Sequence, residues 1–169
     1  MQWQNWSGLE SAEPRHVSSP GSPDEVVAAV VAARDSRSTV KMVGTGHSFT
    51  GIAAPGHTML RPSRLSGIVA VDREAMTVTA LAGTPLHVLN VELERLGLSL
   101  HNMGDIAEQT LAGAISTGTH GPAGSRPGCR PRSRASSWSP APARCSARRP
   151  GRTPTSSTWA ASGSGRSGS

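Results

Sequence analysis

The sequence predicts an α+β domain over residues 1–121, followed by a disordered basic tail over residues 122–169. Three observations carry this reading. Segments with helical periodicity alternate with short aliphatic segments of strand character up to Gly121. Two runs rich in glycine and small residues interrupt them, at Gly44–Ser48 and Gly113–Gly121. Beyond Gly121 there is no Ile, Leu, Val, Met or Phe, so that stretch has little apolar surface to offset its chain entropy.

Taken in order, residues 5–20 are polar and irregular and read as an extended lead-in. Ser22-Pro23-Asp24-Glu25 has the form of a helix start: Ser at the N-cap, Pro at the first helical position and Glu at N3. Val26, Val27, Val30 and Val31 then recur at helical spacing, predicting an amphipathic helix over 23–35. Val40–Val43 reads as a short buried strand, and 58–60 and 67–71 as further strands. A polar turn at Asp72–Ala75 leads into an alternating strand over 76–82. Gly83-Thr84-Pro85 opens a second helix with Leu86, Leu89, Leu93 and Leu96 on one face and Gly97 as the residue that ends it. Residues 110–121 read as a glycine-rich loop. No internal repeat is visible.

The net charge of +6 belongs to the tail, where nine Arg and no acid occur. The part before Gly121 is mildly acidic, so the basic total does not mark the domain as a nucleic-acid binder. Both cysteines, Cys129 and Cys145, also lie in the tail, and no metal-type spacing supports the fold. No N-terminal signal segment and no apolar run approaching the ~20 residues of a membrane span is present, giving a cytoplasmic protein as the expectation.

Two segments could carry chemistry. Gly44-Thr45-Gly46-His47-Ser48 follows a strand, and its glycines permit close backbone approach and converging N–H groups, as an anion requires. It does not open a long helix, because Pro55-Gly56 follows soon after, so it is not a Rossmann fingerprint. On local grounds a tight structural turn and an anion cradle both stay open. His47 is either a structural hydrogen bonder or, placed beside glycine, a ring free to meet a ligand. The second run offers Ser116, Thr117 and Thr119 hydroxyls to a flat polar group, or is simply a packed boundary loop. Asp105 and His120 are ambiguous in the same way. His16, His57, His87 and His101 read as structural or surface residues.

Together these segments resemble the PCMH-type (vanillyl-alcohol-oxidase-type) FAD-binding domain, and within it alditol and xylitol oxidases and L-gulonolactone and D-arabinonolactone oxidases. The resemblance is carried by Val43-Gly-Thr-Gly-His-Ser-Phe49, Val78-Thr-Ala-Leu-Ala-Gly83, Leu96-Gly-Leu-Ser-Leu-His-Asn-Met-Gly-Asp-Ile106 and Gln109-Thr-Leu-Ala-Gly-Ala-Ile-Ser-Thr-Gly-Thr-His-Gly121. It covers residues 4–121 and implies the first α/β subdomain of that fold. It also implies FAD joined covalently to His47, with Gly44, Thr45, Gly46 and Ser48 at the pyrophosphate. Gly104, Asp105, Thr110, Gly113, Ser116, Thr117, Gly118 and His120 match the second cofactor-binding segment. The implied reaction is oxidation of a small polyol or sugar lactone with oxygen as acceptor, the flavin doing the redox chemistry and the protein orienting the substrate.

After Gly121 the resemblance stops, and the family's substrate domain has no counterpart. The tail reads as an out-of-frame translation. Arg134-Ala-Ser-Ser-Trp-Ser139 can be encoded so that a one-nucleotide shift gives Gly-Leu-Glu-Leu-Val, and the same shift over 155–169 restores an aliphatic glycine-rich stretch. The alternatives are a catalytically inactive flavin-binding remnant and a tail that binds nucleic acid. The second is disfavoured by the absence of Lys and the presence of only two Trp there. Substrate identity, stereochemistry and oligomeric state are not encoded in any of these features.

Overall fold

The computed structural model describes residues 1–100 and 102–121, together with the backbone of residues 143–148. Strands β1 (Trp3–Gln4) and β2 (Ser11–Ala12) form a small antiparallel pair. A parallel three-stranded sheet follows, in the order β3 (His16–Ser18), β5 (Thr58–Leu60), β4 (Val40–Met42). The lead-in is therefore not irregular throughout. His16–Ser18 pairs residue for residue with Thr58–Leu60, a long-range partner that no local pattern announces.

Helix α1 (Pro23–Asp35) connects β3 to β4 and spans the predicted residues. Ser22 accepts the Glu25 N–H on its hydroxyl at 3.2 Å, and Pro23 fills the first turn, where its missing N–H costs nothing. The expectation of a covered valine stripe needs correction. Val27, Val30 and Val31 are 49, 46 and 38% exposed, and the buried residue of the helix is Ala33. Helical spacing identified the helix but not the face that a neighbour covers.

The second half is built on the hairpin β6 (Ile68–Asp72) and β7 (Thr77–Ala80), whose turn Asp72 closes by accepting the Glu74 and Ala75 N–H groups on Oδ1. Helix α2 (Leu86–Arg95) buries Leu86, Leu89 and Leu93 and ends as expected at Gly97, with φ +69°. Strand β8 (Ser99–Leu100) follows, and α3 (Leu111–Ser116) replaces the first part of the expected 110–121 loop. Thr110 caps α3 by accepting the Gly113 N–H at 3.2 Å, and Leu111 and Ala114 are buried. Small residues concealed this helix from a periodicity argument, because only two of its positions are needed in the core.

One segment of the stretch beyond Gly121 is a strand. β9 (Ala143–Arg148) lies between β7 and β8 in an antiparallel sheet of order β6-β7-β9-β8. Its Cys145 and Ala143 stand opposite Val78 and Ala80, and Ala147 opposite Leu100. In sequence, small residues alternate there with Arg and Ser, the period of a strand. The rest of 122–169, with its expected frame shift, lies outside the described residues, as does His101.

The main core joins Val78, Ala80, Leu86, Leu89, Leu93, Leu98, Leu111 and Ala114. A smaller cluster of Trp3, Val43 and Met59 sits under the parallel sheet. Among the described residues no helix is long and apolar enough to cross a membrane, and no group of His, Cys, Asp and Glu could hold a metal ion.

Candidate functional site

The loop over residues 44–48 leaves the end of β4 behind buried Val43, whose N–H donates to the Leu60 carbonyl at 2.8 Å. From there its two kinds of backbone group are treated differently. The carbonyls of Gly46 and Ser48 are occupied, the first by the Trp6 N–H at 3.1 Å and the second by Asn5 Nδ2 at 2.9 Å. Asn5 is buried, and its Oδ1 accepts the Glu10 N–H at 3.1 Å, which locks the amide in place. No backbone N–H of residues 44–48 donates to an acceptor among the described residues. Gly44 and Thr45 are exposed, so their amides are open to solvent, and consecutive amides without a protein partner on a glycine loop are available to an anion. Gly46 has φ +73°, a conformation that glycine adopts without steric cost.

Gly44 brings the two glycine-rich segments together. A Cβ at this position would stand 2.5 Å from Thr110 Oγ1, so Gly44 allows the loop to rest directly on the N-cap of α3. Gly44, Thr45 and Thr110 line a cleft of about 490 Å³, within the range of small-molecule sites. The cleft also draws on Arg61, Ser63 and Ser66 from the β5–β6 connection and on Trp3 and Gln4 from the N-terminal strand. Arg61 is exposed and has no carboxylate partner among the described residues, leaving one uncompensated positive charge at the cleft.

The other expected residues form a second group. Gly104 packs against Thr119, and the Gly121 N–H donates to Asn102 Oδ1 at 2.6 Å, so the segment 102–104 is tied to 119–121. Ser116, Thr117 and Gly118 end α3. Thr117 donates its hydroxyl to the Gly113 carbonyl at 3.0 Å and lies 2.9 Å from the Thr119 hydroxyl. Asp105 is exposed, and His120 places Nδ1 2.8 Å from the Gly121 carbonyl oxygen. His47 stands apart from this group, its ring stacked on Trp6 instead. Of the remaining histidines, His87 places Nδ1 3.2 Å from the Ala107 carbonyl, His16 lies in β3, and the His57 carbonyl accepts the Arg15 and His16 N–H groups.

Sequence reasoning missed Asn5, Trp6 and Arg61. Arg61 gave no signal, being one basic residue in a connection. Asn5 and Trp6 gave a faint one, since a Trp in a polar lead-in is unusual in a chain with one Phe and no Tyr. Among the described residues, two buried oxygens, Ser7 Oγ and Gln109 Oε1, have no hydrogen-bond partner. Each adjoins a site segment, where a missing partner is a feature to explain.

Comparison with known proteins matches residues 14–130 to a family model described as an FAD binding domain. The D-arabinono-1,4-lactone oxidase of Eremothecium gossypii is 41% identical over 123 residues, covering 70% of this chain and 23% of that protein. The L-gulonolactone oxidase of Scyliorhinus torazame is 38% identical, covering 70% of this chain and 27% of that protein. The L-gulono-1,4-lactone dehydrogenase of Mycobacterium tuberculosis is 34% identical, with 70% and 28% covered. The chain thus spans about a quarter of the length of these relatives. Among solved structures, a cholesterol oxidase from B. sterolicum superimposes with a TM-score of 0.64 at 25% identity, over 71% of this chain and 24% of that one.

Proposed function

The chain belongs to the FAD-binding domain family, and from that membership we propose that it is the cofactor-holding N-terminal part of an FAD-dependent oxidoreductase acting on a sugar lactone or polyol. The observation that carries this is the run of unused amides over residues 44–48 on a glycine loop pressed against Thr110. Such a cradle fits a dianionic pyrophosphate, which takes several N–H donors at once and leaves none of them orphaned. Arg61 adds a positive charge to the same cleft. When bound, FAD supplies a two-electron acceptor that molecular oxygen can reoxidise.

In this reading the chain's own residues bind and orient. Gly44, Thr45, Gly46 and Ser48 hold the pyrophosphate, and Thr110 keeps the start of α3 fixed beside them. Gly104, Asp105, Gly113, Ser116, Thr117, Gly118 and His120 serve the remainder of the cofactor. His47 is the covalent attachment point. The lactone oxidases and dehydrogenase among the relatives support the substrate class. The stop in family likeness at residue 130, within the Arg-rich stretch, supports reading the tail as out of frame.

The test is to incubate the purified chain with FAD in air, precipitate it with acid and measure the flavin retained. Retention in the wild type and its loss in His47→Ala is the expected result. Equal retention in both would reject His47 as the anchor, and no flavin binding of any kind would reject the cradle.

A further inference from the structure

The N-terminal lead-in adds a ring to this site that neither the family likeness nor the motifs point to. The Trp6 indole lies flat against the His47 imidazole, with centroids 5.6 Å apart and planes 6° from parallel. Phe49 meets Trp6 edge-on, with centroids 4.9 Å apart and planes at 82°. Trp6 and Phe49 are 51 and 68% exposed. Their contact with each other is therefore not a by-product of core packing. The backbone around His47 is already held, because the Trp6 N–H bonds to Gly46 and the Asn5 side chain to Ser48. The freedom left to the residue is rotation of its ring about the side-chain bonds, and a parallel indole restricts that rotation.

We propose that Trp6 is the positioning residue of His47, holding the imidazole plane so that one ring nitrogen is presented for bond formation to the flavin. This rests on His47 being the attachment point. Attachment joins an imidazole nitrogen to a ring-methyl carbon of the flavin. The imidazole N–H and one methyl C–H are broken, both hydrogens leave as protons, and the electron pair remains on the flavin ring. Molecular oxygen then takes two electrons and two protons as hydrogen peroxide, which restores the oxidised ring. A nucleophile whose ring turns freely spends most of its time misaligned, so alignment bears on the rate of this step and not on reversible cofactor affinity.

Two measurements on the full chain test the proposal. In the absence of flavin, the His47 ring-proton resonances, assigned by their loss in His47→Gln, lie upfield in the wild type. They remain upfield in Trp6→Phe and return to ordinary positions in Trp6→Ala. On incubation with FAD in air, Trp6→Ala gains acid-stable flavin on the order of tenfold more slowly than wild type, while its reversible FAD affinity is unchanged. Trp6→Phe stays close to wild type. Should Trp6→Ala not fold, Trp6→Leu keeps apolar bulk without a ring and takes its place against Trp6→Phe. Wild-type attachment rates in the ringless variants, or ordinary His47 shifts in the wild type, overturn the role of Trp6 alone. No acid-stable flavin in the wild type overturns the attachment reading, and the role of Trp6 with it.

Discussion

Around α2 the leucine stripe is met on all sides, by Val78 and Ala80 from β7, Leu98 before β8, and Leu111 and Ala114 from α3. Around the parallel sheet the buried cluster reduces to Trp3, Val43 and Met59, and α1 leaves three valines open to solvent. The two halves contribute different things to the site. The packed half supplies Thr110, a buried N-cap on a helix that cannot shift without disturbing the core. The open half supplies the glycine loop, whose conformation depends on a few polar bonds from Asn5 and Trp6. One wall of the candidate site is thus rigid and the other is pinned through the Gly46 and Ser48 carbonyls.

Four substitutions sharpen or break this contrast, beginning with the largest effect. Leu89→Ala empties the centre of the packed half and should lower stability by roughly 2–5 kcal/mol in urea unfolding followed by circular dichroism. A loss below about 1 kcal/mol would show that this core is not closed. Asn5→Ala removes the partners of the Ser48 carbonyl and the Glu10 N–H, with an expected cost of about 1–3 kcal/mol. It should also weaken FAD binding, and an unchanged affinity would mean that the loop holds its shape without this brace.

Arg61→Gln should leave stability within about 0.5 kcal/mol. It should reduce FAD affinity several-fold in titration calorimetry at low salt, and flatten the salt dependence. An unaltered salt dependence would place Arg61 outside the anion's reach. Val30→Ser has the smallest effect, within roughly 0.5 kcal/mol, because the side chain is already half in water. A cost of several kcal/mol would reveal that α1 is covered in solution.

Legibility in the sequence followed the range of the forces involved. Helix α1 was legible to the residue because Ser22, Pro23 and Glu25 act within one turn. The α2 face and its end at Gly97 were legible because leucine spacing and a positive φ are also local. The GxGHS loop was legible as an exception to helix and strand, with a tight turn and an anion cradle both left open by its glycines. The contact of Gly44 with Thr110 was not, because it joins positions far apart in the chain. Nor was α3, whose short, small-residue sequence lacks a periodic stripe.

By itself the sequence determined helices α1 and α2, the glycine loop at 44–48, and the point at Gly121 where aliphatic residues end. Each of these depends on neighbours a few positions away or on composition. Only the tertiary structure decided that β3 pairs with β5, that Trp6 lies on His47, and that Ala143–Arg148 enters a sheet between β7 and β8. Those outcomes depend on which unsatisfied edges, faces and carbonyls meet once the chain is compact, and distant partners of that kind leave no pattern in a local stretch of residues.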